Sequence, residues 1–221
     1  MAALNDIFDW LAEPVEQRDT RYSKKATAYL LDVWEDVRTR IGPQRFDPVL
    51  EEPRAGKFGR RATAAWTQTN GAREGDLVNL TLELETDELS LNLVGWFDPQ
   101  LEKVERWFRT RRAKEVLRTL DGWDLLIFIR HAHVGPTGKA TFQGAPGVLQ
   151  DRFAITEVAP TNVVITLDGM RPRLDPTTEK LALHIRRGWS GQETLALADV
   201  AAAVAPEVER WLDPLPQIRL A

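Results

Sequence analysis

An α+β fold, a mostly antiparallel sheet with flanking helices, is the architecture that this 221-residue sequence predicts. Runs of alternating apolar and polar residues joined by short links predict the sheet, and stripes at helical spacing predict the helices. A repeated string adds to both. Leu-x-Leu-x-aliphatic ending in Gly-Trp occurs at Leu89, Leu91, Leu93, Gly95 and Trp96, and again at Leu181, Leu183, Ile185, Gly188 and Trp189. A strand-like run precedes each copy, at 79–84 and 162–167, and Val-Glu-Arg-Trp follows each, at 104–107 and 208–211. A β-β-α unit used twice accounts for this repetition. The organisation that follows is an N-terminal helical segment, 1–42, and an α+β domain, 62–221, with related halves 62–120 and 123–213.

Each element has its own signal. Leu4, Ile7, Phe8 and Leu11 recur at helical spacing. Ser23 is an expected N-cap for a second helix, with Ala26, Leu30, Val33, Val37 and Ile41 as its buried stripe. Gly42-Pro43 ends it, because Gly accepts a left-handed cap and Pro cannot continue the ladder. Residues 62–69 read as a strand closed by the turn dipeptide Asn70-Gly71. Val78, Leu80, Leu82 and Leu84, then Leu89, Leu91 and Leu93, form a hairpin turning at Thr86-Asp87, one face apolar and one face wet. Asp98-Pro99 starts a helix, since a capping carboxylate is followed by a residue whose missing N–H costs nothing there.

Residues 123–130 are apolar on both parities, which marks a central strand. Residues 135–147, rich in Gly and Pro, are a loop. Further strands are expected at 153–157, 163–168 and 181–189, and a closing helix at 195–212 that Pro206 should kink or split.

Composition narrows the classes. With no cysteine, disulfides, thiolate metal sites and a cysteine nucleophile are excluded, and a reducing cytoplasm is the expected location. The first ten residues include Asp6 and Asp9 and do not read as a signal peptide. No stretch approaches the roughly 18 apolar residues of a membrane span, so no membrane partner is expected. A net charge of −4 argues against wholesale coating by nucleic acid but allows a local basic face.

Candidate chemistry is sparse. His131 and His133 are two residues apart at the end of the central strand and would point the same way. With His184 from an adjacent strand they could hold Zn²⁺ with a position open for water, the one cofactor these residues could take. The string from Val134 to Lys139 resembles a phosphate loop but lacks its first Gly and its final Ser or Thr, and no helix can follow it. Glu83 and Glu85 share a strand face, as solubilising residues commonly do. No serine lies in a nucleophile elbow.

Charge and aromatic rings offer binding surfaces. Lys103, Arg106, Arg109, Arg111, Arg112, Lys114 and Arg118 make the helix after Asp98 basic, and Arg54, Lys57, Arg60 and Arg61 add a basic loop. These could track phosphates, with Trp107 or Phe58 free to stack. Trp10, Trp34 and Trp211 lie beside the main stripes of the terminal helices, as aromatic residues at protein interfaces do.

The functional expectation is a non-enzymatic cytoplasmic binding or adaptor protein, contacting a protein partner through its terminal helices. The alternatives are a nucleic-acid-binding protein using the Arg-rich helix, and a metal-dependent hydrolase centred on the three histidines.

Overall fold

In the computed structural model, residues 4–13, 20–50, 54–55, 61–64, 78–95, 98–142 and 147–221 are described. Helices α1 (Leu4–Ala12), α2 (Thr20–Ile41) and α3 (Pro43–Phe46) are followed by strands β1 (Arg54–Ala55), β2 (Arg61–Ala64), β3 (Asn79–Glu85) and β4 (Glu88–Gly95). Next come α4 (Asp98–Phe108), α5 (Arg111–Leu117), β5 (Asp124–His131), β6 (His133–Val134), β7 (Ala140–Thr141) and β8 (Gly147–Ala154). The chain closes with α6 (Pro160–Met170), β9 (Glu179–Ser190), α7 (Gly191–Ala196), α8 (Val200–Leu212) and α9 (Pro214–Leu220). The α+β class and its mostly antiparallel pairing are as expected.

Two compact units divide the chain, and they cut across the expected halves. The first gathers Met1–Ala72, Asn79–Leu93 and Arg187–Pro216; the second gathers Arg73–Val78, Val94–Arg186 and Gln217–Ala221. The N-terminal helices are therefore not a segment apart. They share a unit with the first hairpin and with α7 and α8.

In the first unit the strands lie in the order β1-β2-β3-β4, and β2 runs antiparallel to β3 with Ala62 opposite Leu82. Helix α2 packs on α8 and on β2. The stripe Ala26, Leu30, Val33, Val37 and Ile41 is buried as expected, and Ile7, Leu11, Leu80, Leu82, Leu84, Val204 and Val208 complete the core. Gly42 has φ 92°, the left-handed cap that ends α2. Helix α2 starts at Thr20, so Ser23 lies inside it and is not its N-cap. Asn70-Gly71 lies outside the described residues.

The hairpin departs from its pattern. Thr81, Glu83, Ser90 and Asn92 stand on the parity expected to be wet, yet all four are buried, and Asn92 Nδ2 donates to Ser90 Oγ at 3.0 Å. Alternation here marks two chemically different buried faces, an apolar one and a polar one.

In the second unit β5 is central, antiparallel to β9 on one side and β8 on the other. Leu125, Leu126 and Ile127 are all buried, which explains the apolar residues on both parities. Helix α6 replaces the strand expected at 163–168. Pro160 opens it at a position suited to proline, and Pro160, Val163, Val164 and Leu167 form the buried side while Ile165 is 68% exposed. A strand would have put Val163, Ile165 and Leu167 on one face.

This removes the doubled β-β-α unit, because the second copy has a helix where the first has β3. The strand-to-helix part does recur with the same phase. Val104 and Trp107 are buried on α4, and Val208 and Trp211 on α8. Pro206 lies inside α8 without ending it, its side chain exposed. The break falls earlier, where the Asp199 carboxylate accepts from Ala202 N at 2.9 Å and caps α8.

Candidate functional site

Helical spacing on α2 builds one wall of a concavity in the first unit. Tyr29, Asp32, Val33 and Asp36 follow one another at i, i+3, i+4 and i+7, so they share one edge of the helix. The opposite wall runs from Thr194 to Ala201 through the end of α7 and the start of α8, and Leu4 of α1 closes one end. Together they enclose a groove of about 400 Å³, within the roughly 300–1,000 Å³ of small-ligand and side-chain pockets.

The lining of the groove is segregated. Leu4, Val33, Leu195, Leu197 and Val200 supply apolar surface, and Leu195 is 45% exposed, high for a leucine. Asp32, Asp36 and Asp199 supply carboxylates. Asp199 is committed, as the cap of α8 and as the ion-pair partner of Arg40. Asp32 and Asp36 are exposed and make no ion pair among the described residues. Burial pushes the Tyr29 hydroxyl up to about 12, so at neutral pH it is a proton donor at the groove wall.

The tryptophans expected at a partner surface are core residues. Trp34 and Trp211 are fully buried and Trp10 is 6% exposed. Trp34 sits edge-on to Phe46 with ring centroids 6.2 Å apart, and Trp10 stacks on Tyr22 at 6.2 Å. The physical reason is area: a ring burying roughly 150–250 Å² beside an apolar stripe is drawn into it and widens it. The terminal helices thus offer their other faces to solvent.

The three histidines do not converge. In the β5–β9 register His131 stands opposite Glu179 and His184 opposite Leu126. Five register positions separate them, roughly 17 Å at about 3.4 Å per residue, so no ion could bind both. His131 Nδ1 lies 3.4 Å from a Glu179 oxygen, and His184 is buried with its ring centroid 4.9 Å from that of Phe128. Among the described residues no three His, Asp or Glu come together as a metal ion needs. The string resembling a phosphate loop forms the β6–β7 turn, closed by Gly138 N donating to Gly135 O at 2.9 Å.

The basic helix is two helices. Thr110 interrupts it, its hydroxyl accepting from Ala113 N at 3.2 Å and capping α5. Arg106, Arg109, Arg111, Arg112, Lys114 and Arg118 are exposed, whereas Trp107 is 1% exposed and cannot stack on a base. Lys57, Phe58 and Arg60 lie outside the described residues, and Arg54 and Arg61 are described only as backbone of β1 and β2. A smaller cleft in this unit, about 280 Å³, lies among Asp98, Leu101, Arg171, Leu174, Pro176 and Lys180. Glu102 and Glu179 also line it, and its two cations are paired, Lys180 with Asp98 and Arg171 with Glu105 and Asp168.

Glu105 yields a pH prediction. Its carboxyl is held above the ordinary glutamate value by burial, and the adjacent Arg171 only partly offsets this. A raised folded-state value means a stability contribution fully present below the unfolded value, about 4.3, and lost as pH rises through the folded one. Glu105→Gln is therefore expected to be at least as stable as the parent at neutral pH, its advantage growing as pH rises through that window. Urea unfolding at pH 4 to 7.5 measures this; a loss above about 1 kcal/mol at neutral pH would mean that the ion pair outweighs desolvation.

No protein-family model matches the sequence, and no curated protein is significantly similar to it.

Proposed function

We propose that the chain is a non-enzymatic cytoplasmic adaptor that captures a polypeptide partner in the groove between its terminal helices. The observation that carries this reading is an apolar lining with an exposed leucine, beside two carboxylates one helical turn apart that make no ion pair among the described residues. Such a surface complements an amphipathic segment with apolar anchors and Lys or Arg beside them. The volume suits one or two anchor side chains.

The same feature supports helix-in-groove recognition over capture of a small cation. An inorganic ion has no use for Leu195 and Val200. An amphipathic helix uses both the floor and the rim. No helix among the described residues is long and apolar enough to cross a membrane.

A labelled amphipathic Leu/Lys peptide of about five turns, followed by anisotropy with the full chain, tests the reading. Saturable binding is expected. Asp32→Lys combined with Asp36→Lys should weaken it about tenfold, two rim pairs at roughly 0.5–1 kcal/mol each. Leu195→Asp should weaken it further through the floor while leaving the fold intact. Equal affinity for parent and variants would reject the groove as the site.

A further inference from the structure

We propose that the face formed by α4, α5 and the Arg171–Arg173 turn after α6 binds the phosphate backbone of double-stranded nucleic acid. Helix α6 packs against both α4 and α5, which brings Arg171 and Arg173 to helices already rich in arginine. From Asp98 to Arg118 and along α6 to Arg173 there are nine Lys and Arg against five Asp and Glu, in a chain whose net charge is −4. The excess is local to these segments.

Its carboxylates are already engaged. Glu115 is shared by Arg111 at 3.1 Å and Arg112 at 3.4 Å. Asp168 is shared by Arg109 at 3.4 Å and Arg171 at 3.1 Å. Asp98 pairs with Lys180, and Glu105 is buried against Arg171, so among the described residues Glu102 is the one carboxylate of these segments without an ion pair. Lys103, Arg106, Lys114, Arg118 and Arg173 make no ion pair among the described residues. Cations outnumbering the carboxylates on these helices, with Glu115 and Asp168 each divided between two guanidinium groups, leave a positive surface for an external polyanion.

Chemistry selects the polyanion. Seven of the nine cations are Arg, whose planar fork matches phosphate oxygens in pairs. The aromatic rings of these helices, Trp107 and Phe108, are 1% exposed, so bases have nothing to stack on, as single-strand binding requires. Leu101, Val104, Val116 and Leu117 are buried, and Ile165 is the one large apolar side chain exposed on the three helices, too little to enter a bilayer. Contact through phosphates alone, without base readout, fits a duplex bound independently of sequence.

The test is fluorescence anisotropy of the full chain with a mixed-sequence duplex of about 20 base pairs, titrated at several salt concentrations. Log affinity should fall linearly with log salt, with a slope of roughly −3 to −5 for four or five phosphates. Arg111→Glu, Arg112→Glu and Arg173→Glu combined should weaken binding at least about tenfold and flatten the slope. Arg106→Glu with Arg118→Glu carries the same expectation should the triple variant not fold, and Lys139→Glu, elsewhere in the unit, should change neither quantity. Absence of binding at low salt, or binding unchanged in both charge-reversal variants, overturns the proposal. Tighter binding to a single strand of the same sequence, or to phosphatidylserine vesicles, overturns the choice of duplex.

Discussion

Trp34→Ala should destabilise the first unit by about 3–5 kcal/mol, the cost of deleting a large buried ring. Trp34 is fully buried on α2, edge-on to Phe46, which is fully buried too. Side chains around a deleted ring relax only partly, so a void remains in the core. Asp32→Lys, two positions away on the exposed side, should change stability by no more than about 0.5 kcal/mol. Chemical unfolding of the two variants measures the contrast. A mild Trp34→Ala would mean that the ring lies at a surface, where a partner could reach it. A severe one leaves recognition to the opposite edge of the helix.

Val164→Asp should cost about 3–5 kcal/mol or prevent folding, and Ile165→Asp should be close to neutral. Val164 is 1% exposed and faces the interior from α6, whereas Ile165, its neighbour in sequence, is 68% exposed. An aspartate at the first position buries a carboxylate without a partner; at the second it meets water. A strand through these residues reverses the expectation for Ile165, because alternation then groups it with Val163 and Leu167. Thermal midpoints of the two variants decide between the geometries. Helix α6 carries Asp168 and leads into Arg171, so the basic face depends on the same result.

Sequence patterning resolved the elements unevenly, for physical reasons. Strongly periodic segments were legible: the stripe of α2, the hairpin turn at Thr86-Asp87, and β5 with apolar residues on both parities. Helix α6 was not, because the β-branched run Val163-Val164-Ile165-Thr166 favours a strand. The contrary signals were Pro160 at the first turn and the spacing of Pro160, Val163, Val164 and Leu167. Here tertiary burial of the helix outweighed local propensity.

The tryptophans through which the sequence pointed to the terminal helices are core residues. The groove those helices form joins Tyr29, Asp32 and Asp36 to residues more than 150 positions away, at Thr194–Ala201, and no spacing rule links them. Likewise the separation of His131 from His184 depends on the β5–β9 register, which neither strand encodes alone. Arg171 and Arg173 join the basic helices only because α6 is a helix.

Amide hydrogen exchange of the full chain, with and without the amphipathic Leu/Lys peptide, tests recognition through the terminal helices most directly. Bound peptide should slow exchange at 29–36 and 194–201, the two walls of the groove, and leave 98–118 unchanged. Protection confined to other segments, or an unchanged exchange map at saturating peptide, would contradict it.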